Sequence, residues 1–274
     1  MTQYWPFSGL IRQTALRERL IVSLDLGDRR EALQLVDRLA RVVAMFKVGR
    51  ALFVSGGPDF IREIRRRGAE VFLDLKFHDT PRNVPRVAVE ATRLGVKMFD
   101  IHASSSPACL TDMMTRTRAE VSRVCRTEGL RRPNILAVAM LASISPTQPR
   151  LVGPRGRDTG CADRVAQIAR LAADAALDGI VTSPHQISRV RNICGRRFVI
   201  VTSGVSLRDI NDGQSHLISA ADAIRAGADF VVIGAPVWRA TEPVRAVREI
   251  TDRIEQGLRA NPRGALDMLN PRPL

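Results

Sequence analysis

Lysine is nearly missing from this 274-residue chain: of its 42 basic residues only Lys47, Lys76 and Lys97 are lysines. Arginine holds an anion but stays protonated, whereas lysine can surrender a proton. A chain with this bias therefore has few basic side chains suited to proton transfer. Aromatic residues make up only 4%, which leaves few platforms for stacking unpaired bases. The four cysteines, Cys109, Cys125, Cys161 and Cys194, lie far apart. They offer neither paired metal-ligand spacing nor Cys-x-x-Cys, and read as reduced, partly buried thiols. No apolar stretch approaches the roughly 20 residues needed to span a bilayer, and the N-terminus lacks the charged-then-apolar order of a signal peptide. The expectation is a soluble, cytoplasmic protein. A Gly-rich dinucleotide loop and a nucleophile elbow are also missing.

What is present points to one large domain. The chain is 45% hydrophobic, enough for a full core, and a single α/β barrel occupies about 250 residues. The formal charge of +14 and pI near 11.2 would suit a phosphate-rich partner. The arginines, however, are spread along the whole length, with Arg65-Arg66-Arg67 as the densest run. A composition-wide drift toward arginine is the simpler reading, and nucleic acid is not the expected partner.

Apolar, β-branched runs alternate with amphipathic segments, the pattern of a parallel sheet covered by helices. Strands are expected at Leu20–Leu26, Met45–Gly49, Val71–Lys76, Met98–Ala103, Ile135–Leu141, Gly179–Ser183, Phe198–Gly204 and Phe230–Ala235. Helices are expected at Glu31–Val42, Asp59–Arg67, Val84–Leu94, Pro107–Arg126, Ala162–Leu177, His185–Ile193, Ser219–Ala226 and Pro243–Gln256. Eight βα units predict an α/β protein with a closed (β/α)8 barrel over residues 20–256. Residues 1–19 would form an N-terminal extension, packed across the barrel bottom, and residues 257–274, with three prolines, a frayed tail.

Polar residues gather at the C-terminal strand ends, where barrels build their sites: Asp25, Lys47, Asp74, Lys76, Asp100, His102, Ser143, Ser183 and Ser203. One polar strand-end residue is ordinarily a cap or a loop contact; so many on one rim indicate a site. The loops Ser145–Gly160 and Ser203–Ser215 are rich in turn formers. The first reads as a lid or surface insertion, and the second follows strand seven, where many barrels hold phosphate.

The sharpest cluster is Asp74-Leu75-Lys76-Phe77-His78-Asp79. Strand alternation would turn Asp74 and Lys76 to the same face, toward the barrel mouth, with Asp79 on the loop beyond. A bare Asp-x-Lys serves equally well as a buried ion pair that fixes register. His78 and His102 read as packing or hydrogen-bonding residues.

The stretch Leu73-Asp74-Leu75-Lys76-Phe77-His78-Asp79-Thr80-Pro81 resembles the signature of the orotidine 5'-monophosphate decarboxylase family. Val22-Ser23-Leu24-Asp25, Phe46-Lys47-Val48-Gly49, Ile101-His102-Ala103, Asp178-Gly179-Ile180-Val181 and Ala226-Gly227-Ala228-Asp229 extend the likeness from about Leu20 to Arg245. It implies an enzyme with neither metal nor organic cofactor. Asp25 would hold ribose and Ser143 the pyrimidine. Lys47, Asp74, Lys76 and Asp79 would form an alternating charged array, Asp79 reaching the partner's site in a homodimer. Lys76 would stabilise the carbanion left by decarboxylation and supply its proton, while Asp74 crowds the departing carboxylate.

The phosphate side departs from that family. Thr202-Ser203-Gly204-Val205-Ser206 stands where the family has Thr-Pro-Gly-Ile-Arg, so Ser206 replaces an arginine. Gly234-Ala235-Pro236-Val237 stands for Gly-Arg-Pro-Ile, so Ala235 replaces the arginine that grips the 5'-phosphate. Only Gln214 survives of an Asp-Gln pair, Asn83 follows the signature where threonine is usual, and Ala142 replaces a threonine before Ser143. Arg208 or Arg239 is the candidate substitute, and backbone N–H groups near Gly204 and Gly234 could cradle an anion. Three functions stay open on these residues: the decarboxylase, a related lyase acting on another nucleotide or a sugar phosphate, and an inactive homologue with a basic binding surface.

Overall fold

A computed structural model of the chain describes residues 17–103, 106–138, 161–206 and 218–259. Ten strands run in chain order: β1 Leu20–Ser23, β2 Met45–Gly49, β3 Glu70–Phe77, β4 Met98–His102, β5 Asn134–Val138, β6 Gly179–Thr182, β7 Val199–Ser203, β8 Val205–Ser206, β9 Ile218–Ser219 and β10 Phe230–Ile233. Eight of them close a parallel barrel in the order β1-β10-β7-β6-β5-β4-β3-β2, and β8 with β9 forms a small ribbon. The main helices are α1 Arg29–Leu39, α2 Arg50–Arg66, α3 Val84–Arg93, α4 Pro107–Glu128, α5 Cys161–Asp174, α6 Ile187–Cys194 and α7 Ala220–Arg225. The short α8 Ala235–Trp238 and the long α9 Pro243–Arg259 complete the set. The (β/α)8 architecture read from the periodicity is the one observed.

Period-two alternation builds two cores from each strand. One parity faces the helices: Leu20, Val22, Phe46, Val48, Val71, Leu73, Phe99, Ile101, Ile180 and Ile200 sit in the large outer core. The other parity points inward, where Ile21, Met45, Phe72, Met98, Leu136, Val201, Phe230 and Val232 fill the barrel, with Val181 and Val199 packed against them. Every barrel strand contributes to this apolar plug. Truncating a member such as Phe72 to alanine would cost about 3–5 kcal/mol.

The helices follow from sequence in the same way. Asp28 caps α1, its carboxylate accepting from the Arg30 and Glu31 N–H groups at 2.5 and 3.2 Å, and Ala32, Leu35, Val36 and Leu39 give the buried stripe. Helix α2 starts nine residues earlier than the expected Asp59, at Arg50. Gly57, at φ 60° and ψ −166°, breaks it into two pieces, and Pro58 opens the second. On β6, Gly179 is required by packing: a Cβ there would lie 2.2 Å from the Val199 carbonyl oxygen of β7.

Two of the family-like segments are explained by the barrel's lower edge. Asp178 accepts the Ile135 N–H at 2.8 Å and pairs with Arg132; Asp229 accepts the Ile200 N–H at 2.8 Å and pairs with Arg191. Each carboxylate precedes a strand and ties it to its neighbour. Arginine elsewhere is also engaged locally, as in Arg29–Glu63, Arg67–Asp37, Arg93–Glu128 and Arg116–Asp112. That dispersal agrees with compositional drift. Among the described residues no helix is long and apolar enough to cross a membrane.

Candidate active site

Two residues beyond the plug, at the C-terminal end of the barrel, the inward parity turns polar. Ile21 is followed at this spacing by Ser23, Met45 by Lys47, Phe72 by Asp74, Met98 by Asp100, Val201 by Ser203 and Val232 by Gly234. The register places Ser23 beside Lys47, and Gly49 beside Asp74. A charged layer thus lies directly on an apolar floor.

Asp25, Lys47, Asp74 and Lys76 form a row of alternating charge that ends against Asp100. The Lys47 ammonium is 3.2 Å from Asp25 Oδ1 and 3.1 Å from Asp74 Oδ2. Lys76 pairs with the other oxygen of Asp74, and its Nζ is 4.0 Å from Asp100 Oδ2. Ser23 Oγ donates to Asp25 Oδ2 at 2.5 Å. The side chains of Lys47 and Asp74 are each 13% exposed, whereas Asp25 is 57% exposed at the mouth.

Burial and pairing compete at each of these groups. Burial pushes the Asp74 carboxyl up, but the Lys47 charge, hydrogen bonds from Asp100 and Lys76, and the Lys76 charge together hold its pKa down to about 2. Burial also disfavours the Lys47 ammonium, and Asp74 and Asp25 more than offset it, so its pKa is raised. Asp100 goes the other way: burial first, then the neighbouring Asp74 charge, drive its carboxyl well above the usual range. Two adjacent carboxyl groups are thereby split, Asp74 toward the ionised form and Asp100 toward the protonated one.

The cleft above this layer encloses about 340 Å³. Phe72, Val181 and Val232 form its floor, Ser23, Asp25, Lys47 and Asp74 one wall, and Ser203, Gly204, Gly234 and Ala235 the other. Lys76 does not line it and joins through Asp74. The reason is local: β3 is irregular against β4 between Leu73 and Phe77, and Lys76 adopts φ 52°, a left-handed conformation uncommon outside glycine. Simple alternation is therefore not what lays Lys76 on Asp74.

Asp79 and Asn83 stand apart from the row, on the exposed segment after β3. Asp79 accepts from the Thr80 N–H at 2.6 Å and from Asn83 Nδ2 at 3.1 Å, and these bonds lower its pKa. Ser206 belongs to the β8–β9 ribbon. Ala142, Ser143, Gln214 and Arg208 fall outside the described residues. Arg239 stacks its guanidinium 4.8 Å over the Trp238 ring. His78 and His102 stack with ring centroids 4.9 Å apart; burial, then His78 and Lys76, lower the His102 pKa and keep it neutral.

Two contributors were given no role by sequence. Asp100 was visible only as one more polar strand end. Trp238 carries a buried indole N–H without an acceptor among the described residues, 3.6 Å from where a Cβ on Gly234 would lie. Among the described residues no group of three or more His, Cys, Asp or Glu side chains is placed to hold a metal ion.

Comparison with known proteins adds a family. Residues 18–250 match the profile described as "Orotidine 5'-phosphate decarboxylase / HUMPS family". The chain is 41% identical over 244 residues to the orotidine 5'-phosphate decarboxylase of Syntrophotalea carbinolica, covering 88% of this chain and 97% of that protein. It is 39% identical over 247 residues to the protein of the same name from Moorella thermoacetica, covering 90% and 95%. Among solved structures, orotidine 5'-phosphate decarboxylase from Lactobacillus acidophilus superposes with a TM-score of 0.73 at 26% identity, over 86% of this chain and 99% of that one.

Proposed function

Because the chain belongs to the orotidine 5'-phosphate decarboxylase / HUMPS family, we propose that its cleft holds orotidine 5'-monophosphate with the pyrimidine carboxylate against Asp74. The protein is a carboxy-lyase that converts orotidine 5'-monophosphate to uridine 5'-monophosphate, a step of pyrimidine biosynthesis. The bond from the ring to the carboxylate breaks, CO2 leaves, and the electron pair stays on the ring carbon. Lys76, held beside the cleft by its pair with Asp74, stabilises the developing charge and gives up a proton to that carbon.

The observation that carries this reading is the Asp25–Lys47–Asp74–Lys76 row on the apolar floor. Asp74 is ionised at neutral pH, so it repels a bound carboxylate, and the repulsion vanishes as neutral CO2 departs. Lys47 keeps Asp74 charged. Asp25, oriented by Ser23 and Lys47 at the mouth, receives ribose hydroxyls. The 5'-phosphate lies toward Gly204, Gly234 and Ala235, where backbone N–H groups replace the arginine side chains that Ser206 and Ala235 do not supply. Asp79, exposed and paired with neither Lys47 nor Lys76 of its own chain, completes the site of a second copy in a homodimer.

The fall in ultraviolet absorbance as orotidine 5'-monophosphate is consumed tests the assignment. Wild type should turn over, and Lys76→Ala should lose at least about 1,000-fold in kcat, the scale of a positioned proton donor with its charge. Turnover in Lys76→Ala within about tenfold of wild type would remove Lys76 from the chemistry.

A further inference from the structure

We propose that Asp100 is the positioning residue for the proton donor, holding the backbone of Lys76 with one carboxyl oxygen and its counter-ion Asp74 with the other. The inference rests on the reading of Lys76 as that donor.

Lys76 sits where β3 departs from regular pairing with β4. The register runs Phe72 to Met98 and Leu73 to Phe99, then resumes at Phe77 with Ile101, so the segment from Asp74 to Lys76 has no ladder partner on β4. A left-handed, non-glycine residue at such a break is disfavoured and persists only where its surroundings fix it. Here the fixing group is a side chain. The Lys76 N–H donates to Asp100 Oδ1 at 2.7 Å, in place of a strand carbonyl.

The second oxygen faces the reacting groups. Asp100 is fully buried, on β4, one inward step beyond the plug residue Met98. Its Oδ2 has no hydrogen-bond partner among the described residues and stands 4.0 Å from Lys76 Nζ, and the Asp100 carboxyl neighbours that of Asp74. An ionised carboxylate there would be an unsatisfied buried charge beside another carboxylate, which is strongly unfavourable. Protonated, Oδ2–H donates to Asp74, and both oxygens are satisfied. Burial and the Asp74 charge favour that neutral form. Asp100 thus locks the lysine at its root and orients the carboxylate to which the lysine tip is paired. An apolar side chain fills the same volume and does neither; asparagine offers both an acceptor and a donor.

Steady-state kinetics with orotidine 5'-monophosphate on the full chain test this, comparing wild type, Lys76→Ala, Asp100→Asn, Asp100→Leu and Asp100→Ala, each checked for cooperative unfolding by circular dichroism. The expected result is kcat within about tenfold of wild type for Asp100→Asn, and about 100-fold or lower for Asp100→Leu and Asp100→Ala, with KM moved less than about threefold. The two apolar variants differ in size, so one reports if the other fails to fold, and Asp100→Asn keeps the native shape. The proposal is overturned if a folded apolar variant keeps kcat within about threefold of wild type, if Asp100→Asn falls as far as they do, or if the loss appears in KM instead. Undiminished turnover in Lys76→Ala would instead overturn the reading of Lys76, and the proposal with it.

Discussion

Replacing Lys47 with methionine keeps most of the side-chain volume and deletes the ammonium lying 3.1 Å from Asp74 and 3.2 Å from Asp25. Apart from burial, which acts the other way, the charge of Lys47 is the largest influence on the Asp74 carboxyl. Holding that carboxyl at about 2 instead of 3.8 is worth about 2.5 kcal/mol at neutral pH, at about 1.4 kcal/mol per pKa unit. Lys76 remains paired with Asp74 in the variant, so the expected loss is most of that, about 2 kcal/mol by urea unfolding at pH 7. Asp74 binds its proton less tightly folded than unfolded. Its contribution is therefore complete above 3.8 and disappears as pH falls through about 2. The gap between wild type and Lys47→Met should accordingly narrow as the melts are taken below about pH 4. Equal stability at pH 7, or a gap unchanged on acidification, would refute the claim that Lys47 keeps Asp74 charged.

Mixing inactive Lys76→Ala with inactive Asp79→Ala should restore activity through hybrid dimers that contain one intact site; no recovery after subunit exchange would show that Asp79 is not shared. Ala235→Arg, placed on the cleft wall, should lower KM for orotidine 5'-monophosphate about tenfold or more with little change for the unphosphorylated nucleoside, and equal effects on both would contradict a phosphate site there. Asp100 holds its proton more tightly folded than unfolded, so the stability it contributes is complete below 3.8 and is lost as pH rises through its raised folded pKa. Asp100→Asn should therefore gain stability relative to wild type as pH rises above about 4, and a melting difference that stays constant as pH rises would contradict it.

The barrel was legible because its signal is repeated. Each strand alternates an outward aliphatic residue with an inward one, and the inward series changes from apolar to polar in a single step, as at Ile21 to Ser23 and Phe72 to Asp74. Lys47 and Asp74 could be placed on one wall from that parity alone. Lys76 could not, because its position depends on an irregular strand and a positive φ that alternation does not encode. Asp100 reads in sequence like any strand-end acid, and only its complete burial against Asp74 and the Lys76 N–H distinguishes it. The early start of α2 was hidden by Gly57-Pro58, which breaks the helix without ending it. Asp178 and Asp229 looked like parts of a functional signature, yet each ties one strand to the next at the edge opposite the cleft.

The central claim is that the Lys76 amine exchanges a proton with the ring carbon from which the carboxylate departs. Microscopic reversibility makes this measurable without decarboxylation: uridine 5'-monophosphate incubated with the protein in deuterium oxide should take up deuterium at that carbon, followed by proton nuclear magnetic resonance. Wild type should catalyse the uptake and Lys76→Ala should not. Uptake by Lys76→Ala at the wild-type rate would contradict the assignment.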